Sequence, residues 1–399
     1  MTDTRRAATR QVPITRPTLG DAEAAAVAEV IASGWLVQGP KVEEFERLFS
    51  AFTGAAHSVA STSCTTALHL ALAAIDVKPG QEVIVPAFTW VATANAVEYF
   101  GARPVFVDID PTTFNVDIER LAGAITDRTA GIIPVHLFGL CADMDRVMEL
   151  ARARALWVVE DAACAFGAGI GERHAGTFGD AAAFSFHPRK AITTGEGGML
   201  TTGDSEMAKI ARSLRDHGAD RTDLDRHTAS DGTHLPAYPR LGFNYRMTDL
   251  QAAIGVVQMG RAEHLLETRR HQARRYDAAL ESMDLLTAPA TPAGYTHGYQ
   301  SYVAWFGREA WRAGDVEGVS RRRNRYMGAL QDRGIATRQG THAAALQDYY
   351  RARYATQPSQ FPMAHAAERL TISLPMFATM TDEEQDYVID SLGQLATTD

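Results

Sequence analysis

Between residues 82 and 202, short β-rich runs alternate with helical stretches, and this rhythm restricts the fold more than any other feature of the chain. The runs are Glu82-Val-Ile-Val85, Pro104-Val-Phe-Val107, Gly131-Ile-Ile-Pro-Val135, Leu156-Trp-Val-Val159, Ala181-Ala-Ala-Phe-Ser-Phe186 and Gly198-Met-Leu-Thr-Thr202. Several are apolar throughout, the pattern of strands covered on both faces. Their alternation with helices predicts an α/β fold whose mostly parallel central sheet is flanked by helices. Ligands of such sheets gather beyond the carboxyl ends of the strands. Several runs end in polar or small residues, namely Asp108, His136, Glu160-Asp161 and Ser185, and function is sought there.

The chain has 399 residues, too many for one ordinary core. Asp21 to Ser33 reads as a helix stopped by Gly34, and Thr66 to Ile75 as another, closed by Lys78-Pro-Gly80. After about Gly255 the rhythm changes. A long charged helical stretch, Gln258 to Met283, leads into a mixture of strands and helices, and the last helix opens on the capping-box pattern Thr381-Asp-Glu-Glu384. The expected division is a large domain over 1–255, with a loose arm over about 1–13, and a smaller α+β domain over 256–399.

Composition excludes several classes. A formal charge of −9 without a long basic block argues against nucleic-acid binding. No stretch approaches the ~20 apolar residues that span a bilayer, and Met1-Thr-Asp-Thr-Arg-Arg-Ala7 lacks the apolar core of a signal peptide. Cys64, Cys141 and Cys164 are odd in number and widely spaced, so neither a disulfide framework nor a metal site is expected, and a cytoplasmic setting fits best.

Three short strings carry candidate chemistry. Lys190 sits in Phe184-Ser-Phe-His-Pro-Arg-Lys-Ala-Ile-Thr-Thr-Gly-Glu-Gly-Gly198, after a buried strand and before a glycine-rich turn. Desolvation there is expected to lower its pKa and make it a nucleophilic amine. Asp161 ends a strand, where a carboxylate can hold a metal, a ribose or a protonated ring nitrogen, or simply cap a helix. Ser63-Cys-Thr-Thr66 precedes a helix whose first N–H groups suit a phosphate or a plain cap. Trp90 follows a strand and can stack on a flat ring or fill core, while His69 and Arg321-Arg-Arg323 read as structural, the latter as a solvated helix face. Walker A, G-x-G-x-x-G, H-E-x-x-H and G-x-S-x-G motifs are missing.

Taken together the strings resemble the DegT/StrS-type sugar aminotransferases, a family of fold-type I pyridoxal-phosphate enzymes. The resemblance runs through Ser33-Gly-Trp-Leu-Val-Gln-Gly-Pro-Lys-Val-Glu-Glu-Phe-Glu46, Thr65-Thr-Ala-Leu-His-Leu-Ala-Leu72, Pro86-Ala-Phe-Thr-Trp-Val-Ala-Thr-Ala-Asn95 and Gly101-Ala-Arg-Pro-Val-Phe-Val-Asp108. It continues in Pro134-Val-His-Leu-Phe-Gly139, Glu160-Asp-Ala-Ala163, the lysine string, Leu241-Gly-Phe-Asn-Tyr-Arg-Met-Thr-Asp-Leu-Gln-Ala-Ala253 and Ser373-Leu-Pro-Met-Phe377.

It implies pyridoxal 5'-phosphate as cofactor. Lys190 would form the Schiff base and move protons, and Asp161 would pair with the pyridine nitrogen. Trp90 would stack on the ring, and Thr65, Thr66 and Ser185 would hold the phosphate. Asn244 would reach in from the second subunit of a homodimer. Trp35, His187, Arg338 and His342 fall on the substrate side. Two positions depart from the family: Cys64 replaces a usual Gly, and Cys164, beside the cofactor, replaces a usual Gln or His. The family moves an amino group from L-glutamate to a nucleotide-linked keto-sugar, and Thr193-Thr-Gly-Glu-Gly-Gly198 resembles the members that aminate C4 of 4-keto-6-deoxyhexoses. The rival expectations are a keto-cyclitol acceptor, a dehydratase, which commonly lacks the lysine, and a non-catalytic regulator on the same fold.

Overall fold

The apolar runs become strands because successive residues bury on opposite faces of one sheet. The computed structural model describes residues 10–221, 235–309 and 314–396. The central strands are His57–Ser61 (β1), Glu82–Pro86 (β2), Arg103–Val107 (β3), Thr129–Ile132 (β4) and Trp157–Asp161 (β5). After a two-stranded hairpin, Gly169–Ile170 (β6) and Arg173–His174 (β7), come Ala181–Ser185 (β8) and Gly198–Thr202 (β9). Seven of these form one sheet in the order β1-β9-β8-β5-β4-β2-β3. All pairings are parallel except those of β9, which runs antiparallel to β1 and β8. The expected α/β class with a mostly parallel sheet is therefore observed.

Both faces are covered. Val83 and Val85 pack with Leu68 and Leu72 of the Cys64–Ile75 helix, whereas Ile84 faces Met144 and Val147 of the Met144–Ala153 helix. The Pro40–Thr53 helix sets Phe45 and Phe49 against Phe184 and Phe186. Gly131 to Val135 is not one continuous strand. Pro134 has no N–H to give, and pairing resumes only as a bridge from Val135 to Asp161.

The later part of the chain builds a second, antiparallel sheet from Leu286–Thr287 (β10), Tyr302–Phe306 (β12) and Thr371–Leu374 (β13). Tyr295–Thr296 (β11) pairs instead with β6, extending the β6–β7 hairpin to a third small sheet. The helix predicted from Gln258 to Met283 forms as Ala262–Leu280, while Gln258 and Met259 close a preceding helix, Asp249–Met259, beyond the break at Gly260-Arg261. The capping box at the last helix forms as expected, with Glu384 N–H donating to Thr381 Oγ1 and Thr381 N–H to Glu384 Oε2. Residues 1–9 of the arm lie outside the described residues. Val12 is not loose: it pairs with Ile335 and is buried in the core of the second sheet. Arg323 is likewise no solvated charge, being buried with Nη1 donating to the Thr371 carbonyl.

Three of the polar strand ends have structural partners. Asp108 is buried and accepts the N–H groups of Met363 and Ala364, capping the Pro362–Leu370 helix and clipping the later region to β3. Glu160 is wholly buried and accepts four hydrogen bonds, from His136 Nε2 (2.7 Å) and from the N–H groups of Gly176, Phe178 and Gly179. His136 Nδ1 accepts from Ala142 N–H, which leaves Nε2 as the protonated nitrogen facing Glu160. Burial alone would raise the Glu160 pKa, but His136 and the backbone N–H groups outweigh it and hold the carboxyl below its usual range.

Replacing Glu160 by Ala strands these donors, and chemical unfolding should show a loss of ~3–5 kcal/mol. With Glu160→Gln, the stability gap to wild type is largest above the unfolded-state carboxyl range. It narrows as pH falls through the lower folded-state pKa; a gap independent of pH would show that the ionised form is not what stabilises.

Candidate active site

The strand register assembles the site. Gly198, at the start of β9, pairs with Ser61 of β1 on one side and Ser185 of β8 on the other, so these three residues form a row along one sheet edge. A side chain at Gly198 would place Cβ 2.2 Å from the Ser63 carbonyl oxygen. Its absence lets the start of the Cys64–Ile75 helix lie against the row. Ser63 caps that helix: its Oγ accepts from Thr66 N–H, and Thr66 Oγ1 accepts from Ser63 N–H. The N–H groups of Cys64 and Thr65 belong to the first turn, where no intrahelical acceptor exists, so they are available to an anion.

Thr66 differs from a free phosphate ligand, because its hydroxyl is engaged by the cap and by Thr62. Thr65 and Ser185 are half-buried at the same edge. Cys64 carries its side chain without strain, since it starts the helix and is not among the residues with positive φ. Its thiol turns to the Ala183 carbonyl at 3.5 Å and is held well above the usual thiol pKa, first by burial and next by Asp161.

Asp161 ends β5, beside Ala183 of β8. It is 5% exposed. Oδ2 accepts from Thr93 Oγ1 at 2.6 Å, and Oδ1 accepts from Ala163 N–H at 3.2 Å. Thr93, at the start of the Ala92–Glu98 helix, also donates its N–H to the Trp90 carbonyl. The carboxylate is thus aimed by a fully buried hydroxyl. Trp90 is 60% exposed at the mouth, and His342 meets it edge-on with ring centroids 5.6 Å apart. His342 Nδ1 is buried without a partner, and the His342 carbonyl accepts from Thr89 N–H.

Lys190 follows β8 and lines a small pocket together with Cys164, Ser185, Phe186 and Gln300. Its Nζ lies 3.1 Å from Cys164 Sγ. The expected downward pKa shift is corrected by these neighbours. Burial does pull the ammonium down, but Cys164, Cys64 and Asp161 together hold it above the ordinary lysine value. Within the described chain Lys190 is therefore an ammonium, and it becomes a nucleophile only by giving up a proton.

The remaining predicted residues scatter. His187, on the lysine loop, has Nε2 4.0 Å from Glu196, and burial lowers its pKa. Trp35 lies over the Gly39 backbone with its indole N–H donating to Val37. Arg338 is exposed on a backbone pairing with Ser373. Asn244 is exposed and bridges Asp216, with no contact to Lys190. His69 packs among Tyr99, Phe100, Phe243 and Tyr245, a structural role.

Sequence reasoning overlooked two neighbours of the site. Thr93 stood inside a quoted string but was not singled out. Gln300 had no local signal, because it reaches the pocket only through tertiary structure. Its Nε2 donates to the Arg189 carbonyl, and its own carbonyl accepts from Arg269, a buried cation. Among the described residues no cluster of His, Cys, Asp and Glu could hold a metal. No helix among them is long and apolar enough to cross a membrane.

An amine, a carboxylate and a free helix N-terminus at one sheet edge suit a phosphorylated pyridine aldehyde: the first for a Schiff base, the second for the ring nitrogen, the third for the phosphate. Comparison with known proteins agrees. A sequence model of the DegT/DnrJ/EryC1/StrS aminotransferase family matches residues 17–393. The chain is 37% identical over 385 residues to the spore coat polysaccharide biosynthesis protein SpsC of Bacillus subtilis, covering 96% of this chain and 97% of that one. Spr1654 of Streptococcus pneumoniae, described as a sugar aminotransferase, superposes in its PMP form with a TM-score of 0.89 at 30% identity, covering 97% and 100% of the two chains. Its PLP form gives 0.88 at 30% identity over 98% and 99%. The chain therefore belongs to the DegT/DnrJ/EryC1/StrS aminotransferase family and is a pyridoxal-phosphate-dependent sugar aminotransferase.

Proposed function

We propose that this aminotransferase carries an amino group from L-glutamate to a nucleotide-linked 4-keto-6-deoxyhexose, and that it works in the cytoplasm as a homodimer with shared active sites. The observation that carries the reading is the convergence of Lys190, Asp161 and the N-terminus of the Cys64–Ile75 helix on one edge of the sheet. Bound there, the cofactor supplies an aldehyde for the amine and a ring that withdraws electrons.

The chain's own residues have separate tasks. Lys190 Nζ would hold the aldehyde and, when free, would give and take the proton at the reacting carbon. Asp161, aimed by Thr93, would keep the ring nitrogen protonated. The Cys64 and Thr65 N–H groups with Ser185 would hold the phosphate, and Trp90 would cover the ring face.

The acceptor reading is supported at the mouth. Trp90 and His342 offer an aromatic edge, and the exposed Arg189 of the lysine loop offers a cation. A nucleotide base and its phosphates have matching chemistry. The string Thr193-Thr-Gly-Glu-Gly-Gly198 points to C4 as the site of amination. The homodimer reading is supported by exposed apolar side chains, Leu36, Val37 and Leu241, and by Asn244, exposed three residues beyond Leu241.

With L-glutamate as donor, the holoenzyme should convert nucleotide-linked 4-keto-6-deoxyhexoses to amino sugars with release of 2-oxoglutarate, products being read by mass. Turnover of keto-cyclitols instead would move the assignment to that acceptor class, and no turnover of any ketone despite a cofactor band would leave a binding protein. Shared sites make a second demand. Lys190→Ala and Asn244→Ala proteins, each impaired alone, should regain activity when mixed and allowed to exchange subunits. Mixtures no more active than their components would show that each site is built by one chain.

A further inference from the structure

We infer that Cys164 positions the Lys190 amine and shares its proton, so that the two side chains act as a pair. The inference rests on the reading of Lys190 as the cofactor lysine. It goes beyond that reading by giving a task to a residue that departs from the family pattern.

The two groups come from different elements. Cys164 sits in the turn after β5 and Lys190 in the loop after β8. They meet in the pocket walled by Phe166, Phe184 and Phe186, with Sγ 3.1 Å from Nζ. Among the described residues this is the one hydrogen bond that Nζ makes. The lysine backbone is fixed separately: Lys190 N–H donates to the His187 carbonyl, and Gln300, itself held by Arg269, grips the Arg189 carbonyl. The backbone is thus set by the loop, and the end of a long, flexible side chain is set by the thiol.

A glutamine at position 164 could also orient an amine, but it could not exchange a proton with it. A thiol, unlike a carboxamide, can give up a proton and take it back, so two such groups 3.1 Å apart can pass between ammonium–thiolate and amine–thiol with no net change of charge. A lysine that must be a base in one step and an acid in the next gains a nearby place to leave its proton. The other ionisable groups facing Lys190 are Asp161 on β5, Cys64 at the helix start, and His187 on its own loop. Among the described residues only Cys164 is hydrogen-bonded to Nζ; Cys64 turns its thiol to the Ala183 carbonyl and Asp161 accepts from Thr93.

The sign of the effect follows. Cys164 favours the ammonium form, whereas burial favours the neutral amine. Removing the thiol leaves burial with more weight, so the amine should lose its proton at lower pH.

The test is competitive acetylation of Lys190 in the full chain freed of cofactor, followed against pH by peptide mass spectrometry, for wild type, Cys164→Ser and Cys164→Ala. The expected result is a reactivity midpoint displaced to lower pH in Cys164→Ala, with Cys164→Ser displaced less because its hydroxyl still accepts a hydrogen bond. Coincident midpoints in all three would overturn the pairing, and a uniform change in rate without a shift of midpoint would reduce Cys164 to a spacer, which also overturns it. Should Cys164→Ala fail to fold, as judged by its thermal transition, the Cys164→Ser comparison decides. Adding pyridoxal 5'-phosphate to each protein keeps the two claims apart. A wild-type chain that develops no Schiff-base absorbance loses its cofactor lysine, whatever the acetylation midpoints show of the pair.

Discussion

Everything at the active edge depends on a close approach that only a residue without a side chain permits. Gly198 stands between Ser61 and Ser185, and the carbonyl of Ser63 occupies the space a Cβ would need. The first turn of the Cys64–Ile75 helix can therefore rest on the sheet edge with its N–H groups free. Because β9 runs against its neighbours, its beginning, rather than its end, lies beside the carboxyl ends of β1 and β8. One antiparallel strand in a parallel sheet thus brings a glycine to the place where the anion is held.

Three buried carboxylates at strand ends show how surroundings divide labour among identical groups. Asp108 is spent on a helix cap that fastens the later region of the chain. Glu160 is saturated by three backbone donors and His136, and keeps a turn in place. Asp161, the next residue along β5, faces the opposite way and has only one strong side-chain donor, Thr93, so it retains acceptor capacity for a ligand. The alternation of a strand makes this possible, since consecutive acids cannot share a face.

Much of this was legible in the sequence, and the parts that were not share a physical cause. Apolar runs with helical stretches between them are the direct trace of a sheet buried on both sides, so the strands β2, β3, β4, β5, β8 and β9 could be anticipated, but not the short β6–β7 hairpin or the order in which the strands pair. The lysine string and the aspartate also declared themselves, because each combines an unusual residue with a strand end. The strand β1 and the Pro40–Thr53 helix were not read from periodicity. The long helix expected from Gln258 starts only at Ala262, because a Gly-Arg step separates it from the helix that Gln258 and Met259 close. Arg323 could not be told from its neighbours in a run of three arginines, since burial of one is decided by the Thr371 carbonyl it meets. The direction of the Lys190 shift was misjudged for the same reason: desolvation is a property of one residue's position, but Cys164 is 26 positions away in the chain and 3.1 Å away in space. Gln300 was hidden altogether, its approach to the pocket being set by Arg269 from another helix.

The central claim is that one amine, Lys190, condenses reversibly with the cofactor's aldehyde beside a carboxylate that activates the ring. Borohydride reduction of the holoenzyme, followed by peptide mass mapping, measures this directly. The account predicts a pyridoxyl adduct on the peptide containing Lys190, and its loss when L-glutamate is added before reduction. An adduct on another lysine, or none on a protein that carries the cofactor, would contradict it.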